Sequence, residues 1–319
     1  MIICADAHLA EPTLFDNHDM DDWALEYQEK NQPVFDYNID EWADKMKETI
    51  GVDRQLLNFY GPDMGLMYNT PAELAVKIMR IFNDRMLALS KKYHQFDCNI
   101  WLALQDPEAS YNELIRLNNT EYFGVHFGEQ IPWGFIQDSE PIFNYLGQHR
   151  IPIYLHFANG LDKIPHWRKI TDPLYARLKE AFPDPWQNYQ IAIMSLIETG
   201  YFERYPEARV IQAEQGIEFI EQFCTTARLN GFKDPLPYLK KHFWFTIEIE
   251  ERKFMSQANF IGWDRLLFAT DWPHGGDLGG QNRYNDASYV NRMLDRNFIN
   301  QHQYDLITHQ NYLKLRTRS

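Results

Sequence analysis

Ile2-Ile3-Cys4-Ala5-Asp6-Ala7-His8 opens the chain as a near-continuous apolar run that ends in Asp-x-His and leads on to Glu11-Pro12. A run that is apolar in both alternations is the signature of a parallel strand covered on both faces. In an extended segment residues i and i+2 project to the same side, so Asp6 and His8 present a carboxylate and an imidazole together at the C-terminal end of the strand. Asp-x-His arises often by chance. Its weight comes from later strands that end in matching chemistry.

Short β-branched and aromatic runs recur at 2–7, 51–58, 97–103, 122–127, 151–157, 208–214, 242–248 and 265–271. Helix-favouring segments separate them, at 39–49, 71–94, 109–118, 138–148, 185–200, 216–230, 250–260 and 284–297. In the clearest, 71–94, Thr70-Pro71 reads as a cap and first turn, and Leu74, Ile78, Ile81, Phe82 and Met86 form an apolar stripe. Strands alternating with helices in this number predict an α/β fold, a (β/α)8 TIM barrel forming a single domain over 1–319. A doubly wound open sheet is the competitor, and it lacks a glycine-rich phosphate loop after the first strand. Long insertions are expected after three strands, at 9–38, 158–184 and 272–283, on the C-terminal face where barrel enzymes build their sites.

With 45% hydrophobic and 15% aromatic residues among 319, a large core is assured. A net charge of −14 leaves no basic stripe for nucleic acid or an anionic membrane. Cys4, Cys98 and Cys224 are odd in number and far apart, which fits buried thiols in a reducing compartment. No secretory signal or membrane-length apolar run is visible, so a cytoplasmic protein is expected.

Four strand ends carry candidate chemistry: Asp6 and His8, then His156, then Glu214 before Gly216, then Asp271 before Trp272-Pro273-His274. In a barrel these ends face one mouth. Two imidazoles with two or three carboxylates suit a divalent metal, zinc first, with manganese or iron as alternatives. Taken singly, each residue has a structural reading, such as a turn cap for Asp271 or a helix N-terminal carboxylate for Glu214. Their fall on strands one, five, six and eight favours a shared metal site.

The sequence resembles the amidohydrolase superfamily, and within it the amidohydrolase-related group that includes aminocarboxymuconate-semialdehyde decarboxylase and γ-resorcylate decarboxylase. The residues that carry this are Ala5 to Pro12, Gly51 to Leu57, Asn83-Asp84, Leu104 to Ala109, Gly200 to Pro206, Leu267 to His274 and Asn311. The resemblance implies metal ligands at Asp6, His8, His156 and Asp271, and self-association as a homodimer. Many decarboxylases of the group end strand six with a histidine, where this chain has Glu214. That leaves Glu214 open between metal ligand, general base and structural carboxylate. At the end of strand four, His126 or Glu129 as an aid to a second metal is set against a packed or surface role.

Two reactions follow, both on a small-molecule substrate. The first is hydrolysis by metal-activated water, whose pKa falls from ~15.7 toward ~7 on a divalent ion, with Asp271 and Glu214 as catalytic carboxylates. The alternative is non-oxidative decarboxylation of an aromatic or unsaturated acid. Arg54, His166, Trp272 and His274 are candidate substrate contacts, with Arg168 as a further carboxylate partner and Trp23 and Trp167 as stacking surfaces. The missing strand-six histidine tilts this reading toward hydrolysis. A third reading is a barrel that binds a ligand without catalysis.

Overall fold

The computed structural model describes residues 1–9, 11, 14, 38–59, 70–128, 139–156, 173–183, 188–247, 254–272 and 286–317. Among these residues eight parallel strands run in chain order: β1 (Ile3–Leu9), β2 (Arg54–Phe59), β3 in two segments (Phe96–Cys98 and Ile100–Trp101), β4 (Val125–Gly128), β5 (Ile153–His156), β6 (Val210–Gln212), β7 (Phe243–Ile247) and β8 (Leu266–Phe268). Each pairs with its sequence neighbour. The two segments of β3 divide the work, the first pairing with β2 and the second with β4. Closure comes from a parallel bridge between Ala7 and Trp272, with the Asp271 amide donating to the Asp6 carbonyl at 3.0 Å and the His8 amide to the Trp272 carbonyl at 2.7 Å. The fold is the expected (β/α)8 barrel, and all eight expected strands are present.

Two apolar layers hold it. The larger lies between the strands and the surrounding helices. The smaller fills the barrel itself, with Ile3, Ala5, Leu56, Tyr154, Ile211, Trp244 and Leu267 among its members. Every residue of β1, β5 and β7 is buried, as strands covered on both faces require.

Local signals account for the flanking elements. The Asn38 side chain caps helix α1 (Ile39–Ile50) by accepting from the Asp40 amide, and Gly51 ends it with φ 73°. That left-handed turn, easy only for glycine, aims the chain into β2. Helix α2 (Ala72–Lys92) begins after Pro71 without a side-chain cap. Its buried face is Ala75, Ile78, Met79, Phe82, Asn83, Met86 and Leu89, which leaves Leu74 and Ile81 only half-buried. The expected stripe is therefore turned by part of a helical step.

Helices Pro173–Ala181 and Leu236–His242 and the C-terminal run Gln301–Arg316 have no counterpart among the expected helices. The last one matters most. Tyr312 and Leu315 join the inner apolar layer, and the Asn311 amide donates to the carbonyls of Trp263 and Leu266. This helix therefore packs under the N-terminal mouth and stops it. Among the described residues no helix is long and apolar enough to cross a membrane.

Candidate metal centre

At the opposite mouth the strand ends converge. A β-bulge in β1 prepares the site: Cys4 pairs with Gln55 and Ala7 with Leu57, so Ala5 and Asp6 together oppose the single residue Leu56. The extra residue shifts the alternation. Ile3 and Ala5 point into the barrel, Cys4, Ala7 and Leu9 point toward the helices, and Asp6 and His8 now face inward with Ala5.

Asp6, His8, His156 and Glu214 each bring a ligand atom within 4.8 Å of the others. His8 Nε2 lies 3.7 Å from Asp6 Oδ1, 3.8 Å from Glu214 Oε1 and 3.1 Å from Asp271 Oδ1. His156 Nε2 lies 3.4 Å from Glu214 Oε1 and 3.7 Å from Asp6 Oδ2. The two imidazoles meet edge to face at 4.9 Å. Side-chain exposure rises from 1% at Asp6 through 16% at Glu214 to 34% at Asp271, which orders the carboxylates from the floor to the mouth.

Polar residues buried within the barrel hold this set in place. Asn58, at the end of β2, donates to Asp6 Oδ1 at 2.8 Å and accepts from Asn99 at 2.6 Å. Tyr154 donates to the Ala5 carbonyl, and Thr246 accepts from the Glu214 amide. Glu214 and Asp271 both have left-handed backbones, at φ 59° and 53°. Such strain in non-glycine residues persists only where the surroundings enforce it, and it clusters at functional sites. Asn58 and Asn99 were not among the expected site residues. Their sequence signal is an amide beside the apolar pairs Leu56-Leu57 and Ile100-Trp101.

The electrostatics describe crowded negative charge sharing protons. Burial lifts the Asp6 carboxyl above its ordinary value, and the charges of His156 and His8 only partly restore it. Burial, then the Glu214 charge, drive Asp271 well above its own. At Glu214 burial acts the same way, but the His156 charge and bonds to both histidines outweigh it and hold the group well below. Burial opposes charging of His8, yet bonds to Asp271 and Glu214 overcome this and lift it well above its ordinary value. His156 is raised too, with Glu214 and Asp6 outweighing its burial.

A divalent cation fits this arrangement. Asp6 Oδ2 is buried and accepts no hydrogen bond among the described residues. An ion held at ~2.1 Å by each donor draws ligand atoms to roughly 3–4 Å of one another, close to the spacing here. The mixed nitrogen and oxygen donors suit zinc, iron or manganese.

Other expected residues are placed elsewhere. Arg54 is the first residue of β2, roughly 13 Å along the strand from Asn58. Its guanidinium donates to Asp97 and to the His94 carbonyl, at the N-terminal end of the barrel. It therefore does not reach the mouth as a substrate contact. The Trp272 indole stacks flat on Trp42 of α1 at 4.4 Å, in the outer layer. That packing takes its ring away from the barrel interior.

His126 is buried one step beneath His156, edge-on to it at 5.1 Å, and burial followed by the charges of His156 and His8 pushes it well below its ordinary value. It is not among the clustered ligand atoms. His166, His274, Arg168, Trp23, Trp167 and Glu129 lie outside the described residues.

Fold and cluster together define a (β/α)8 barrel with a carboxylate–imidazole centre at its C-terminal mouth. The chain belongs to the amidohydrolase family, whose family model matches residues 46–280. It is 26% identical over 258 residues to the gamma-resorcylate decarboxylase of Rhizobium sp. (strain MTP-10005), covering 72% of this chain and 75% of that protein. Among solved structures, a dihydroxybenzoic acid decarboxylase from Polaromonas sp. JS666, with bound manganese and 2-nitroresorcinol, superposes with a TM-score of 0.71 at 19% identity, covering 98% of this chain and 96% of that one. A putative amidohydrolase from Staphylococcus aureus gives 0.73 at 20% identity, covering 99% of each chain. At these identities the structures speak for the fold alone.

The decarboxylase relatives correct the expectation of a metal-dependent hydrolase. The sequence matches are to carbon–carbon lyases, and the alternative reading fits them better. The end of strand six does not weigh against decarboxylation either. Glu214 lies within the cluster against both histidines, so the missing imidazole there does not select water attack over decarboxylation.

Proposed function

We propose that this protein is a divalent-metal-dependent, non-oxidative decarboxylase of an aromatic carboxylic acid. The convergence of Asp6, His8, His156, Glu214 and Asp271 at one mouth carries the reading, and the match to gamma-resorcylate decarboxylases over most of the chain supports the reaction class. Asp6, His8, His156 and Asp271 would hold the ion, with Glu214 beside them. When bound, it would supply positive charge for an anionic substrate. Manganese is our choice of metal, because a site this rich in carboxylate favours a harder ion than imidazoles alone would.

The reaction breaks the ring-to-carboxylate bond, releases CO2 and places one proton on the vacated ring carbon. Asp271, the most exposed carboxyl of the set and hydrogen-bonded to His8, takes a proton from solvent and relays it to that carbon. Glu214 stays ionised between the two imidazoles and fixes their orientation.

The test incubates Mn²⁺-loaded protein in D2O with 2,6-dihydroxybenzoate and related hydroxybenzoic acids. Release of CO2 with one deuterium at the former carboxylate carbon is expected for at least one acid. A metal-replete protein that releases no CO2 from any of them refutes the proposal.

A further inference from the structure

We infer that Cys4 is a positioning residue for this centre: with Thr270 it pins the bulge of β1 to the end of β8 and so sets the spacing between Asp6, His8 and Asp271. The inference rests on reading the cluster as a metal site. Cys4 points away from the barrel interior and touches no ligand side chain of the cluster in the hydrogen bonds it makes. Its Sγ donates to the Asp6 carbonyl at 2.8 Å, accepts from the Thr270 amide at 3.3 Å and lies 3.2 Å from Thr270 Oγ1.

The surrounding bonds extend this contact into a seam. The Asp6 carbonyl also accepts from the Asp271 amide, Thr270 Oγ1 accepts from the Trp272 amide, and the Trp272 carbonyl accepts from the His8 amide. A bulge takes backbone groups out of the regular ladder. Here the Asp6 carbonyl is taken up by the thiol and by the residue that bears the opposite ligand. Asp271 keeps its left-handed backbone at the far end of the same seam. A thiol is suited to the position because it can donate and accept at once. Alanine can do neither. Serine can do both, on a shorter bond.

A purely space-filling cysteine makes a different forecast. Alanine and serine remove nearly the same volume, so packing alone predicts equal effects.

The experiment titrates Mn²⁺ into wild type, Cys4→Ala and Cys4→Ser. Free aquated Mn²⁺ is read by electron paramagnetic resonance and folding by circular dichroism. Cys4→Ala is expected to weaken Mn²⁺ binding roughly tenfold, the scale of lost outer-shell support, while Cys4→Ser stays within about threefold of wild type. Affinity of Cys4→Ala within about twofold of wild type, or equal weakening of both variants, overturns the inference. Should Cys4→Ala not fold, Thr270→Val removes the other side of the brace: weakening near tenfold supports the inference and wild-type affinity overturns it. Wild-type protein that binds no stoichiometric Mn²⁺ overturns the metal reading beneath it, and the two failures are thereby told apart.

Discussion

At the scale of single residues, the carboxylates differ by depth and by the company they keep. Asp6 is sealed at the floor, Glu214 is held between two imidazoles, and Asp271 reaches toward solvent while bonded to His8. That gradient assigns the proton to Asp271. Asp271→Asn keeps the shape and most of the hydrogen bonding but cannot carry a proton, so turnover should fall by about 10²–10⁴-fold with the circular dichroism spectrum unchanged. Near-normal turnover would remove Asp271 from the role. Five of the residues that meet here, Asp6, His8, His156, Glu214 and Asp271, were legible from sequence, because each is an ionisable side chain at the end of an apolar run. Asn58 and Cys4 were less so, since an amide or a thiol in a strand is more often filler. Arg54 shows the reverse case. Its charge drew attention, while its position at the start of a parallel strand places it at the wrong end of the barrel.

Among the elements, strand β3 is the one whose form the sequence pattern hides. It reads as one run but pairs with β2 through one segment and β4 through the other, with Asn99 at the break. Helix α2 stabilises the second segment through Asn83, which donates to the Trp101 carbonyl and to Glu113 and accepts from the Trp101 amide. All of these groups are buried, so Asn83→Ala strands a backbone donor and acceptor away from water. A loss of about 3 kcal/mol is expected from the denaturant midpoint at constant slope. A change under about 0.5 kcal/mol would mean that other groups satisfy Trp101. The turned apolar face of α2 follows from the same bond. Asn83 belongs to the buried face although its polarity excludes it from any hydrophobic stripe.

For the whole molecule, cation binding is coupled to the protonation of the site. Asp6, Asp271, His8 and His156 are all raised above their ordinary values, so each holds a proton more firmly than it would in water. Binding a cation must displace those protons, so falling pH favours the protonated, metal-free form and rising pH favours binding. Mn²⁺ affinity should therefore increase between about pH 6 and about pH 8, with protons released in calorimetry across buffers of different ionisation heat. At ~100 times its dissociation constant the ion should stabilise the fold by ~2.7 kcal/mol. An affinity flat across that range would show that the site binds without releasing protons.

By itself the sequence determined the alternation of eight strands and eight helices and the strand ends that carry ionisable groups. Both are local properties, written in apolar periodicity and in the residue that follows each run. Closure of β8 on β1, the bulge that turns Ala5 and Asp6 inward together, the stacking of Trp272 on Trp42 and the helix that stops the lower mouth were decided only by tertiary structure. Each depends on register between segments far apart in the chain, and register is set by what packs and pairs across that distance. The Asp6-x-His8 spacing could place two ligands on one side of a strand. Which side that was depended on the register of β1 against β2, and what faced it on the ends of strands much later in the chain, His156, Glu214 and Asp271.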